Sequence, residues 1–343
     1  LRTLYRAAVR AFRLPAESLH LPYPARLGAW PAVVLFFAFA WVELLWADKD
    51  VPSRLAAAVL GYALVTWIGM ALFGVETWRR RGDAFVLAFG VLGRFAPLDV
   101  KNASALEPAR LRLRPYAAGL LADDDVPASL VVFVLLMLST VTFDGFHQTP
   151  LMEQIETAAQ TSRPIAEALF AISERGFDET TVLRTVLLLA FPLGFVLIFR
   201  IAAAAMLRLG FGRPVPLRLA NAAVLTLVPI AVAYHLSHYF SLLLTTGQLL
   251  IPLASDPFGW GWDLFGTRGR AIRLDVVSPY VYWYGSVALI VAGHLLSVVI
   301  AHVDAERRFE GHRAALRSQL PMLLLMVGYT CLSLWIMAQP IVG

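Results

Sequence analysis

Eight ionisable side chains lie within or beside apolar runs of this chain: Glu43, Asp144, His147, Arg200, His235, His238, His294 and His302. A titratable group in hydrocarbon is expensive to place, and by default it marks a functional site. His235 and His238 stand three apart in Tyr234-His235-Leu236-Ser237-His238-Tyr239, a spacing that puts both imidazoles on one helix face. Neutral imidazole is the commonest metal ligand, and a metal site needs a third or fourth donor. Asp144 and His147, in Phe143-Asp144-Gly145-Phe146-His147, offer that chemistry. The packing alternative has the two histidines hydrogen-bonded to facing helices. Asp144 is then a turn residue before Gly145, and His147 an interfacial side chain.

Depth decides which partners are in reach. If the helix carrying the pair enters the membrane at Leu219, His238 lies ~28 Å further on, level with Asp144 and His147. If the run is centred on residue 236, the pair sits near the midplane and faces His294. His294 and His302 are separated by ~12 Å along one helix, too far to share an ion. His302 then reads as a snorkelling residue beside Asp304, and Arg200 as one reaching headgroups. Glu43 closes the first apolar run and can join the cluster. Histidines at spacings of three and eight do not make a two-haem cytochrome, although one haem is compatible with them. No nucleophile elbow, phosphate loop or HExxH helix is present.

The elements that must position these groups are membrane helices. Of 343 residues 59% are hydrophobic and 15% charged, whereas soluble domains carry roughly 25% charge. Mean hydropathy is +0.67. A bilayer core of ~30 Å needs ~20 largely apolar residues, and seven runs qualify: 30–46, 55–77, 127–147, 181–207, 219–252, 279–302 and 320–340. The prediction is an all-α polytopic bundle forming a single transmembrane domain, with interfacial amphipathic helices. Pro192 cuts the fourth run. Pro229 and Pro252 cut the fifth, whose end at Thr245–Leu253 should bend or re-enter. The shorter apolar pieces 84–98 and 164–172 read as interfacial.

Of the 29 basic residues only Lys49 and Lys101 are lysines. With the N-terminus inside, segments 1–27, 78–128, 208–218 and 303–319 are cytoplasmic and hold 20 of the 29. That bias fixes the expected orientation, with the C-terminus outside and Arg79-Arg80-Arg81 as the strongest inner anchor. Arginine binds phosphate in a fork, so lipid headgroups are the expected partners and nucleic acid is excluded. Segment 99–126, with Asp123-Asp124-Asp125, reads as a solvated loop. The acidic outer segment 148–180 reads as surface-lying helices and as the place for contact with other membrane-protein subunits. The outer segment 254–278 is rich in glycine and tryptophan. The lone Cys331 gives neither a disulfide framework nor a cysteine metal site.

Several stretches resemble a known family: Leu21-Pro22-Tyr23-Pro24-Ala25-Arg26, Gly74-Val75-Glu76-Thr77-Trp78-Arg79, Ser139-Thr140-Val141-Thr142-Phe143-Asp144-Gly145-Phe146, Tyr234-His235-Leu236-Ser237-His238-Tyr239, Gly247-Gln248-Leu249-Leu250-Ile251-Pro252 and Leu320-Pro321-Met322-Leu323. The chain is similar over nearly its whole length to bacterial polytopic membrane proteins labelled fenitrothion hydrolase. The resemblance implies hydrolysis of an organophosphate ester in the bacterial cytoplasmic membrane, and further hydrophobic segments upstream of Leu1. Asp144, His235 and His238 match the family pattern, and His147 departs from it.

Two functions follow as expectations. In one, a divalent transition metal, zinc or copper, sits on His235, His238 and Asp144 or His294, with His147 as a further ligand, and activates water. Tyr234, Tyr239 and the loop Asp256–Asp263 then shape the entry. In the other, the chain is a non-enzymatic subunit of a larger membrane complex, or a carrier for a metal or small solute.

Overall fold

The computed structural model describes residues 1–11, 19–101, 110–121, 125–273 and 275–339. Asp123 and Asp124 of the acidic triplet lie outside them. In chain order the helices are α1 (Arg2–Ala11), α2 (Trp30–Leu45), α3 (Pro52–Phe73), α4 (Val75–Arg81) and α5 (Ala84–Gly93). A two-stranded hairpin, β1 (Leu98–Lys101) and β2 (Arg110–Leu113), precedes α6 (Ala128–Phe146), α7 (Pro150–Thr161), α8 (Arg163–Ser173) and α9 (Glu179–Phe211). After a 3-10 segment, Leu217–Leu227, come α10 (Val228–Thr245), α11 (Leu250–Ser255), α12 (Pro279–Arg308) and α13 (His312–Ala338).

Among the described residues seven helical stretches are long and apolar enough to cross a membrane: Ala25–Leu45, Pro52–Phe73, Ala128–Phe146, Glu179–Phe211, Leu217–Phe240, Pro279–Arg308 and His312–Ala338. The protein is an all-α, multi-pass membrane protein, as its composition predicts. Helix starts follow local chemistry. Proline occupies the first turn of α2, α3, α7, α8, α10 and α12, where its missing N–H leaves no bond unmade. Asp178 caps α9 by accepting from the Thr181 amide at 2.7 Å, and Asp83 caps α5 through the Val86 amide at 3.1 Å.

The bundle is organised on α6. Of its membrane window 83% is buried, against 17% for the peripheral α3. Helices α2, α9 and α10 pack on α6, while α12 and α13 close the far side against α10 and α9. A close crossing brings Gly293 of α12 onto α10. A Cβ there would lie 2.4 Å from the Ala233 Cβ and 2.8 Å from the Pro229 carbonyl oxygen. Removing a side chain lets backbones approach where lipid offers no hydrophobic drive to association.

Three expectations change in detail, while the bend expected at the end of the fifth run is present. Pro192 does not break the fourth run, because α9 continues for 33 residues through it. The fifth run enters as the 3-10 segment, continues as α10, and turns at Thr246–Leu249 before α11. The piece at 84–98 is not interfacial along its length: α5 buries Ala84, Ala88 and Val91 in the main core. The segment after it holds the hairpin, with Leu98 opposite Leu113 and Lys101 opposite Arg110.

Arg200 also departs from its expected role at headgroups. Its Nη1 donates to Asn221 Oδ1 at 3.0 Å, and Asn221 Nδ2 donates to the Val126 carbonyl at 2.8 Å. A polar bridge therefore joins α9, the 3-10 segment and the lead into α6. His302 Nδ1 is 3.0 Å from Gln319 Oε1 and ties α12 to α13.

Candidate functional site

At one end of the bundle the last turn of α6 meets α10, and their polar residues converge. His238 Nε2 lies 2.7 Å from Asp144 Oδ2. Asp144 is 13% exposed at its side chain and His238 21%, so both are largely removed from solvent. Tyr239 Oη is 3.4 Å from the same carboxylate oxygen, and His147 Nδ1 is 3.8 Å from the other. The helix around the carboxylate is itself secured, since Gln148 Nε2 donates to the Asp144 carbonyl at 3.1 Å. Of the two depths open to His238 from sequence, the structure takes the first, level with Asp144.

The pair forms part of the wall of a cavity of about 510 Å³. Besides Asp144 and His238 its lining includes Tyr234, Ser237 and Tyr239 from α10, Tyr282 and Trp283 from α12, and Ile336 and Met337 from α13. Tyr234 is 2% exposed, and its hydroxyl has no hydrogen-bond partner among the described residues. A buried hydroxyl without a partner forfeits roughly 1–3 kcal/mol. Gly145 makes the approach possible. A Cβ at that position would lie 2.9 Å from the Tyr234 hydroxyl and 2.8 Å from Ile336 Cγ2.

The other histidines do not join the pair. His235 Nδ1 donates to the Ala231 carbonyl, one turn back on its own helix, at 2.8 Å. The shared helix face inferred from the spacing of three does not become a shared partner, because a local backbone acceptor captures the ring. His294 Nδ1 is 3.0 Å from Thr330 Oγ1 and links α12 to α13. Among the described residues no group of three or more His, Cys, Asp and Glu side chains is arranged to hold a metal ion. The five residues expected around a zinc or copper ion therefore separate. Asp144, His238 and His147 stay together, with His238 already hydrogen-bonded to the carboxylate, while His235 and His294 are engaged elsewhere.

His147 stacks on Phe143 at 5.9 Å, and its Nδ1 is buried without a hydrogen bond among the described residues. Glu43, at the end of α2, is in hydrogen-bonding contact with Tyr239, which places it at the edge of the cluster as expected. The loop Asp256–Asp263 contributes nothing to the cavity lining, so it does not shape this entry. Tyr282, Trp283 and Met337 are wall residues that sequence reasoning missed. Each carried the same weak signal of level, Tyr282 and Trp283 at the outer start of the run 279–302 and Met337 near the outer end of the run 320–340.

A second cavity, about 230 Å³, is lined by Leu135, Phe195, Phe199, Leu325 and Tyr329 among others. It is almost wholly apolar, and the Tyr329 hydroxyl at its edge is 3.1 Å from Thr142 Oγ1. Chemistry is therefore concentrated in the larger cavity.

No family model, no curated protein and no solved structure matches this chain.

Proposed function

We propose that the chain is a membrane-embedded hydrolase of apolar, neutral esters of the organophosphate class, with His238 as general base and Asp144 as the residue that positions it. The observation that carries this reading is the 2.7 Å contact between His238 Nε2 and Asp144 Oδ2 on the wall of a cavity large enough for a small ester. An ionised Asp144 accepts from Nε2–H and selects the tautomer whose Nδ1 holds a lone pair. That nitrogen has no protein partner among the described residues.

In this mechanism Nδ1 takes a proton from a water molecule as the water oxygen attacks phosphorus. The P–O bond to water forms as the bond to the aryloxide leaving group breaks, and the imidazolium returns the proton to the leaving oxygen. General-base assistance of this kind contributes about 10²–10⁴ in rate. The Tyr234 hydroxyl donates to the phosphoryl oxygen where negative charge develops. Trp283, Ile336 and Met337 supply apolar wall for aryl and alkyl groups. The resemblance to proteins labelled fenitrothion hydrolase supports the substrate class, and the excess of arginine at the opposite end of the bundle supports an extracytoplasmic position for the site in a bacterial cytoplasmic membrane. No step is routed through a metal, because His235 and His294 are held away from the pair.

The test is hydrolysis of a neutral nitrophenyl phosphotriester by the purified chain in phosphatidylcholine vesicles, followed by nitrophenolate absorbance. Turnover in the wild type and its loss in His238→Gln support the reading. Equal turnover in the two proteins, or none in the wild type, overturns it. A second reading, a subunit of a larger membrane assembly, draws on the exposed Ile165 and Phe170 of α8. A single monodisperse species carrying full turnover counts against it.

A further inference from the structure

The loop after α11 is organised inside out. Its polar atoms are used up on one another while its rings face outward. Asp256 Oδ1 and Oδ2 accept from the amides of Trp260 and Gly261, each at 2.9 Å. Asp263 Oδ1 accepts from the Arg268 amide at 3.0 Å, and Arg268 Nη1 donates to the Gly261 carbonyl at 2.7 Å. The buried Ser255 hydroxyl accepts from the Phe265 amide at 3.1 Å and pairs with Thr267 Oγ1 at 2.7 Å. Gly259 and Gly261, at φ of 67° and 86°, make the turns that other residues resist.

What this frame presents is apolar. Phe258, Trp260 and Phe265 are 62%, 70% and 70% exposed. Phe258 stacks on Trp260 at 5.0 Å, and Trp262 meets both edge-on at 5.6 and 5.1 Å. In water such a patch is unfavourable, and monomeric proteins rarely show one without a partner. The elements on either side of the loop in sequence are also apolar at the surface, since α11 exposes Leu250 and Leu253 and the first turns of α12 expose Tyr280 and Tyr284. Both carboxylates of the loop point into its own frame, which leaves the Arg270 side chain exposed and without a partner among the described residues. Tryptophan beside arginine is the chemistry of the headgroup boundary.

We propose that the Phe258–Phe265 loop is a preformed interfacial anchor, and that its occupant is the lipid leaflet at the Asp144–His238 end of the bundle. Phe258, Trp260, Trp262 and Phe265 enter the leaflet, and Arg270 stays at headgroup level. The proposal is independent of the hydrolase reading. It assigns the loop to lipid, where a covering subunit would otherwise have to bury the same rings.

The test uses the full chain with Cys331→Ser, which removes the lone native thiol, in vesicles of phosphatidylcholine and phosphatidylglycerol. Nitroxides are placed one at a time through Phe258→Cys, Trp260→Cys and Trp262→Cys. Arg270→Cys gives the headgroup-level reference and the exposed mid-helix Leu324→Cys the hydrocarbon reference. Relaxation by oxygen against a water-soluble nickel chelate reports depth. The expected result is that labels at 258, 260 and 262 fall between Arg270→Cys and Leu324→Cys, ~5–10 Å into the boundary region, as interfacial segments do. Because labelling removes a ring, the chain with all native rings is tested too: quenching of its tryptophan fluorescence by brominated lipid should fall in Trp260→Phe/Trp262→Phe. The idea is overturned if the three labels match Arg270→Cys, or if they are shielded from both relaxants, which identifies a covering protein surface instead.

Discussion

Asp144→Asn isolates the positioning role proposed for the carboxylate. The substitution keeps volume and an acceptor oxygen but removes the charge 2.7 Å from His238 Nε2. Hydrogen bonds to charged groups contribute about 1.5–3 kcal/mol, and neutral ones about 1, so stability should fall by roughly 1–2 kcal/mol. The chemical step has more to lose. The carboxamide can donate to Nε2 as readily as accept from it, which reverses the tautomer and removes the lone pair from Nδ1. A loss near the general-base contribution of about 10²–10⁴ follows, equivalent to ~3–5 kcal/mol of barrier at 1.36 kcal/mol per decade. Steady-state hydrolysis in vesicles, with thermal unfolding of the same preparation, separates the two effects. The expected outcome is a large fall in kcat, KM little changed, and a small fall in Tm. Wild-type kcat in Asp144→Asn refutes the positioning role. A kcat loss that merely tracks the folded fraction refutes it as well, because the carboxylate would then be structural only.

Three further outcomes concern the scaffold. Gly293→Ala forces a methyl within 2.4 Å of the Ala233 Cβ, an overpacking that costs about 1–3 kcal/mol; thermal unfolding should show it, with partial rescue by Ala233→Gly in the same chain. Asn221→Ala leaves both the Arg200 guanidinium and the Val126 carbonyl without the partner described above. It should cost about 1–3 kcal/mol, read as a lower Tm with turnover per folded molecule unchanged. The Asp178 carboxyl is held below its ordinary value by accepting from the Thr181 amide and hydroxyl. A depressed folded pKa means the cap's contribution is present above the unfolded value of about 3.9 and is lost as pH falls through the folded one. Asp178→Ala should lower stability by about 0.5–2 kcal/mol at neutral pH, and the gap to the wild type should close in acid.

The candidate site was partly legible before the fold was known. Asp144 and His238 stood out because ionisable groups in apolar runs are few, and each had to find a partner. Which partner each took was not legible. A spacing of three places His235 and His238 on neighbouring positions of a helix, but ring orientation depends on the nearest acceptor, and the Ala231 carbonyl lies within reach of His235 alone. His294 resolved the same way, onto Thr330, because α13 packs beside α12 there. Tyr234 read as a flanking residue. Its unpaired hydroxyl became informative only when Gly145 and Ile336 were found against it. The loop Asp256–Asp263 showed the converse error, since its glycines and aromatics stood out in the sequence but none of its residues lines the cavity.

By itself the sequence determined the solvent and the class of fold. A chain with 15% charge and seven runs of membrane length must satisfy its backbone internally, and among all-α and barrel solutions runs of this length select helices. Composition acts locally, one segment at a time, so it can be read along the chain. The pairing of Asp144 with His238 joins residues 94 positions apart, and the cavity beside them is lined from four separate helices, α6, α10, α12 and α13. Neither is a property of any segment. Both arise from which small residues allow helices to approach and which acceptors lie nearest each ring, and only the packed bundle decides that.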